Sequence, residues 1–325
     1  MQDTAPPLSR AMLQRLVLRY RRNAPAAALG PHLRRAQGHS LEFRDYRAYQ
    51  PGDDIRTVDW RASLRRGETA GLLVRSFEAE KRLTLAVLID NRPEMLLPET
   101  APKLLFALWA LRALAELALA GGDDVLLARL FSGAGQPSVT LRGTSGPQQA
   151  ARWAEALWHA GDVSGVGAAP AFADLTALER QLQPASAVVV ISDLLFDDRG
   201  GRFAAFLRAA QMRRRSVSIL HLDSFAHEAA MLRQLGQFRL LRPDAQEDPG
   251  PLRHDAAVLA EAGAAIAEHL RALRREAAGP GLDWPAQAVQ WPATDGFEKT
   301  DLRDLFAQSF PALPLLRGLG LGGQE

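Results

Sequence analysis

Cysteine is absent from the 325 residues, which excludes disulfides, thiolate metal sites and a cysteine nucleophile together. Lysine is nearly absent as well: Lys81, Lys103 and Lys299 stand against 36 arginines, and acidic residues bring the formal net charge to only +2. A charge balance this even does not build a polyanion-binding face unless the basic residues segregate, so nucleic acid is not expected as a partner. No uncharged run reaches the roughly 20 residues of a membrane span. The most apolar stretch, 104–120, is interrupted by Arg112 and Glu116 and reads as a buried helix. The first residues carry no apolar segment of signal-peptide length, and we expect a cytoplasmic protein. Missing too are the G-x-S-x-G elbow, the G-K-[ST] phosphate loop and a helical histidine pair at zinc spacing. Gly318, Gly320 and Gly322 have the spacing of a phosphate loop but no helix after them.

What is present reads as a folded chain, with 47% hydrophobic and 23% charged residues. Residues 83–90, 124–131, 187–193 and 216–222 are nearly continuous apolar runs, the pattern of strands covered on both faces. Helical stretches at 100–120, 147–159, 171–182 and 201–213 lie between them. The alternation predicts a doubly wound, mostly parallel, Rossmann-like α/β sheet. Residues 138–143 follow the second run after too short a loop for a crossover and should pair antiparallel, as an edge strand. Residues 238–243 are expected as a last strand, and 252–276 as a closing helix.

These readings divide the chain into an N-terminal helix and a charged segment (1–80), the α/β domain (81–278) and an irregular tail (279–325). Residues 8–22 form a basic amphipathic helix with Leu8, Met12 and Leu16 on one side. Its arginines give a weaker alternative reading, a polyanion-binding face that a steep salt dependence would reveal.

Residues 38–66, GHSLEFRDYRAYQPGDDIRTVDWRASLRR, mix both charge signs around a Pro51-Gly52 turn. Close mixing of this kind suggests an internal lattice in which guanidinium forks bridge carboxylates, with Tyr46, Tyr49 and Trp60 packed beneath. The segment resembles the signature of the family called domain of unknown function 58. The matching residues are Gly38, Glu42, Phe43, Arg47, Tyr49, Gly52, Asp53, Asp54, Arg56, Asp59, Trp60 and Arg65, with Val58 and Leu64 departing from the pattern. The resemblance implies that the α/β domain is of the von Willebrand factor A-like type.

Domains of that type often hold Mg²⁺ at the carboxyl ends of the sheet through an Asp-x-Ser-x-Ser loop, a threonine and a second aspartate. Mapped here, the resemblance implies Asp90 and Asp193 as the aspartates. Arg92 and Glu94 fall where the serines belong, and Ala173 where the threonine would be, so the adhesion site is degenerate. A guanidinium repels a unit charge at 4 Å by about 4 kcal/mol at an effective dielectric near 20, and a divalent ion by twice that. Arg92 therefore disfavours Mg²⁺, and no cofactor is expected. We expect Arg92 to fill the vacated place and pair with Asp90 and Asp193.

The rim formed by 90–98, 165–174 and 193–201 is the predicted contact surface, since open α/β sheets bind at the strands' carboxyl ends. His39 and His221 are the histidines nearest the signature or a strand end. The resemblance implies a non-enzymatic, protein-binding adaptor. Its partners would be a MoxR-type AAA+ ATPase and a client complex, which could be a metalloenzyme. The alternative, from another class, is a metal-dependent hydrolase or nuclease using Asp90, Asp193 and Asp197.

Overall fold

A computed structural model describes residues 4–27, 43–49, 55, 58–65, 72–77, 84–133, 135–161, 171–182, 186–213, 215–235, 237–238, 252–253, 256–277, 286–294 and 296–318. Its elements, in chain order, are α1 (Arg10–Ala27), β1 (Phe43–Ala48), α2 (Trp60–Arg65), β2 (Leu73–Phe77), β3 (Thr84–Ile89), α3 (Lys103–Gly121), β4 (Asp124–Arg129), β5 (Ser138–Leu141), α4 (Gly146–Gly161) and α5 (Leu175–Gln181). There follow β6 (Ala187–Ser192), α6 (Arg202–Met212), β7 (Ser216–Asp223), α7 (Phe225–Leu235), β8 (Gln237–Phe238), β9 (Leu252–Arg253), α8 (Ala256–Ala277), β10 (Ala286–Gln290), α9 (Lys299–Ser309) and α10 (Pro314–Gly318). They form two compact units, 29–82 and the remainder.

The larger unit is a mixed α/β body around a six-stranded sheet of order β10-β7-β6-β3-β4-β5. All neighbours are parallel except β5, which runs antiparallel to β4 at one edge. Every residue of β3, β4 and β6 is buried, because helices cover both faces. Leu85, Val87 and Ile89 turn to one face, against α3 and α4; Ala86 and Leu88 turn to the other, against α5, α6 and α8. This period of two divides each apolar strand between two cores.

Helix α3 is buried almost all round, as its uniform apolarity requires, and ends at Gly122 in the left-handed region (φ 91°). By length and composition it is the one candidate for a membrane span among the described residues, yet most of it is buried inside the fold.

Two features differ from the sequence expectations. The basic helix belongs with the α/β unit and not with the charged segment: Leu16 is 2% exposed in the α3 core, and Arg112 donates to Thr4 Oγ1 at 2.8 Å. Its apolar stripe outweighs its charge in deciding where it docks. The region expected to be an irregular tail supplies the outer parallel strand β10; of the last strand expected at 238–243, Phe238 lies in a two-residue pairing and 239–243 lie outside the described residues. Farther on, Phe306 packs edge-on against Phe106 and Trp109 at 4.9 and 5.6 Å, and Trp291 sits 5.5 Å from Phe106. Prolines in this stretch start turns: Pro314 opens α10 and Pro311 lies in the first turn of a 3₁₀ helix, where a missing N–H costs nothing. Helix α9 opens on a capping box between Glu298 and Asp301.

The smaller unit is built on the antiparallel pair β1–β2, with Arg47 opposite Val74 and a register shift between Phe43 and Asp45. Asp59 caps α2, accepting from Ala62 N at 3.0 Å, while Ser63 Oγ bridges Asp59 O and Leu73 N at 2.8 Å each.

Candidate functional site

Strands β3 and β6 are neighbours whose chains leave toward opposite faces, into α3 and α6 respectively. Such a divergence opens a crevice at the carboxyl ends of the strands. Asp90 and Asp193 are the residues directly after β3 and β6, and Asp90 N donates to Ile191 O at 2.9 Å, which fixes the two ends side by side.

Arg92 fills the space between the two carboxylates. Its Nε donates to both oxygens of Asp90 at 3.0 and 3.2 Å, and Nη2 donates to Asp90 Oδ2 at 2.7 Å and Asp193 Oδ1 at 2.5 Å. The third arm, Nη1, donates to Leu195 O at 3.0 Å. This is the bidentate fork that makes arginine–carboxylate pairs strong. The guanidinium carbon lies 5.3 Å from the ring of Phe131 and 5.4 Å from that of Phe196, so aromatic faces replace water around the charge. Arg92, Asp90 and Asp193 are 6%, 0% and 2% exposed.

A second cation completes the balance. Lys103, the first residue of α3, donates to Asp193 Oδ2 at 2.8 Å and lies 3.7 Å from Glu228. Ser192 Oγ donates to Asp90 Oδ2 at 2.7 Å and accepts from Leu194 N at 2.8 Å, and Ser224 Oγ donates to Glu228. Burial works against every charge here, but the mutual pairing wins. It holds Arg92 and Lys103 above their ordinary ranges, and the two cations pull Asp193 down to about 2. Burial lowers His221, at the end of the next strand, against opposing carboxylates.

The backbone is strained beside this cluster. Leu194 has φ 59°, in the left-handed region that favours glycine, and its carbonyl meets His269 Nε2 at 2.9 Å. Such conformations cost about 1–3 kcal/mol and persist where the surroundings over-determine them.

Of the positions implied for an adhesion site, the structure brings Asp90, Arg92 and Asp193 into direct contact. Ala173 N donates to Leu130 O at 3.0 Å, in a loop joined to the end of β4 by the Phe131–Phe172 bridge, and it offers no side-chain oxygen. Glu94 sits in the 3₁₀ helix Pro93–Leu96 with Oε2 buried and without a hydrogen-bond partner. The residues present do not fit a divalent cation: the aspartate oxygens are taken by Arg92, Lys103 and Ser192, and a guanidinium holds the centre.

Asp197 does not join Asp90 and Asp193; it is exposed and pairs with exposed Arg199. Asp198 caps α6 through Phe203 N and Ala204 N at 3.1 and 3.0 Å, reached by the turn at Gly200 and Gly201. Residues 165–170 of the expected rim, and His39, lie outside the described residues. Sequence reasoning missed Lys103, Ser192 and Glu228. A lysine in a chain with only three, set directly before its most apolar helix, was the signal for the first.

In the smaller unit, Glu42, Gly52, Asp53, Asp54 and Arg56 lie outside the described residues, as do the side chains of Phe43 and Arg47. Asp59 is 8% exposed and accepts from Tyr46 Oη at 3.0 Å. Tyr49 donates its N–H to Leu72 O at 2.7 Å, and Arg65 is exposed in the last turn of α2. Trp60 is not packed beneath a lattice: it is 55% exposed, on the same helix face as Leu64 at 82%. Asp59 faces inward to cap the helix, which turns its neighbour outward.

The family model described as "Protein of unknown function DUF58" matches residues 45–269, more than half of the chain. No curated protein matches it.

Proposed function

The chain belongs to the DUF58 family, and from that premise we propose that it is a non-enzymatic, cytoplasmic adaptor with a von Willebrand factor A-like body, whose upper rim binds another protein without a metal. The observation that carries this reading is Arg92. A metal adhesion site uses a cation to hold two strand-end carboxylates and to order the loops around them. Here the guanidinium supplies that positive charge from within the chain and ties the loop after β3 to the loop after β6. The rim is thereby preorganised, and a preorganised surface loses less entropy on binding. Each of the two loops offers an exposed leucine, Leu97 at 46% and Leu195 at 40%. The partner, by resemblance within the family, is a MoxR-type AAA+ ATPase, through which a client complex is assembled or activated.

The hydrolase or nuclease reading asks Asp90, Asp193 and Asp197 to share a metal. Asp197 stands apart in an exposed pair with Arg199, which leaves that reading without its third carboxylate.

The test has two arms. A calorimetric titration of the protein with Mg²⁺ gives no one-site heat on this proposal; one-site binding abolished by Asp193→Ala overturns the metal-free rim. A purified MoxR-type ATPase binds the wild-type protein and loses about tenfold or more in affinity to Leu97→Glu and Leu195→Glu. Unchanged affinity overturns the rim as the contact.

A further inference from the structure

The carboxylates of the rim loops 90–98 and 193–201 can be matched one by one with the groups that hold them. Asp90 and Asp193 take Arg92 and Lys103, two anions against two cations. Asp197 pairs with Arg199, and Asp198 accepts from the first N–H groups of α6. Among the described residues of these loops, Glu94 is the carboxylate left over. Its Oε2 is buried and accepts no hydrogen bond, while the side chain as a whole is only half-buried. The group is thus stripped of water on one side and open on the other. A carboxylate so placed gains more from a cation than a fully hydrated one, because part of the desolvation cost is already incurred.

The surroundings say which cation fits. Residues 165–170, the part of the rim outside the described residues, contain no Lys or Arg that could supply it. A divalent ion wants several oxygen ligands, and one carboxylate does not provide them. With Oε2 shut off, a guanidinium fork cannot span both oxygens, so the compact ammonium of a lysine loses nothing here relative to arginine. Apolar contacts lie beside it. Leu97 N donates to Glu94 O at 3.2 Å, which sets the exposed Leu97 one short turn away. Arg92, two residues before Glu94, donates to Leu195 O at 3.0 Å and so brings the exposed Leu195 to the same loop.

We propose that Glu94 is the polar anchor of the rim: it takes a lysine ammonium of the partner protein, while apolar side chains flanking that lysine cover Leu97 and Leu195. The inference rests on the reading of the rim as the contact surface and names the chemistry of what meets it, a basic residue set among apolar ones.

The probe is a short capped peptide with one lysine between two leucines, carrying a neutral dye. Titrated with the full chain at low ionic strength, it gives saturable anisotropy. Acetylating the lysine, which removes its charge, weakens binding about tenfold or more, as do Glu94→Gln, Leu97→Ser and Leu195→Ser in the protein. Glu155→Gln, at an exposed carboxylate of α4, leaves binding unchanged. No saturable binding, equal binding of the acetylated peptide, or an equal loss in Glu155→Gln overturns the inference. Full binding by Glu94→Gln with a loss in both leucine variants overturns the lysine contact and leaves the rim standing. A loss in Glu94→Gln with full binding by both leucine variants overturns the apolar contact on which the rim reading rests. Should Glu94→Gln not fold, the acetylated peptide decides on the unaltered protein.

Discussion

Arg92 and Asp193, 101 positions apart in the chain, meet at 2.5 Å under a cover that leaves them 6% and 2% exposed. Their pairing joins the two loops that leave the sheet in opposite directions. Taking such ions out of water is expensive, and the arrangement holds only while every partner is in place.

Removing the arginine therefore leaves Asp90 and half of Asp193 uncompensated. Arg92→Ser is expected to lose about 3–5 kcal/mol of unfolding free energy in urea. It also vacates the centre of the site and restores an oxygen beside Asp90. Millimolar Mg²⁺ should raise the Tm of this variant by mass action and leave the wild-type Tm unchanged. A wild-type Tm that climbs with Mg²⁺ would contradict the guanidinium's role.

Lys103 and Asp193 should be energetically coupled. Lys103→Met alone strands a buried carboxylate oxygen and is expected to cost about 3 kcal/mol. In an Asp193→Asn background the same change should cost less, with a coupling of about 0.5–3 kcal/mol from the double-mutant cycle. Additive effects would show that the 2.8 Å contact contributes nothing specific.

Acid should find the same carboxylate. The folded-state pKa of Asp193 is depressed to about 2, below the unfolded value near 3.9. Its stabilisation is thus complete above the unfolded value and lost as pH falls through the folded one. The difference amounts to about 2–3 kcal/mol between pH 5 and pH 2. Urea midpoints across this range should drop steeply for the wild type and less for Asp193→Asn. Lys103 acts in the opposite direction: held above its usual range, it supports the fold below its unfolded pKa and loses that contribution as alkali deprotonates it.

In the smaller unit, Asp59→Ala removes both the cap of α2 and the acceptor for Tyr46 Oη. A lost cap costs about 1 kcal/mol and a lost hydrogen bond about as much again. Amide exchange over residues 60–65 should accelerate strongly in Asp59→Ala and only slightly in Tyr46→Phe. Equal acceleration in both would shift the role from the cap to the tyrosine.

The parallel strands were legible in the sequence because burial on both faces writes itself as an unbroken apolar run, as in β3 and β6. The pair Asp90 and Asp193 was legible for a related reason, since each follows such a run directly. Arg92 could be placed by charge alone: a cation two residues from a buried carboxylate has few other partners. Lys103 and Glu228 could not be placed: its rarity marked Lys103, but the two enter from the first turns of separate helices and no local pattern couples either to Asp193. Strand β10 escaped notice since its AQAVQ segment is half polar; only the open edge of β7 makes it a strand. Trp60 was misplaced because an aromatic residue in a signature suggests a core, while the inward demand at this point is met by its neighbour Asp59.

The family match stops at residue 269, yet the aromatic cluster that closes over Phe106 and Trp109 comes from Trp291 and Phe306. A fragment trimmed to the recognised boundary would strip the lid from the greasiest helix of the molecule and leave β7 with a raw flank. Such a piece should clump on expression, and its poor behaviour would say nothing about whether the matched portion is sound.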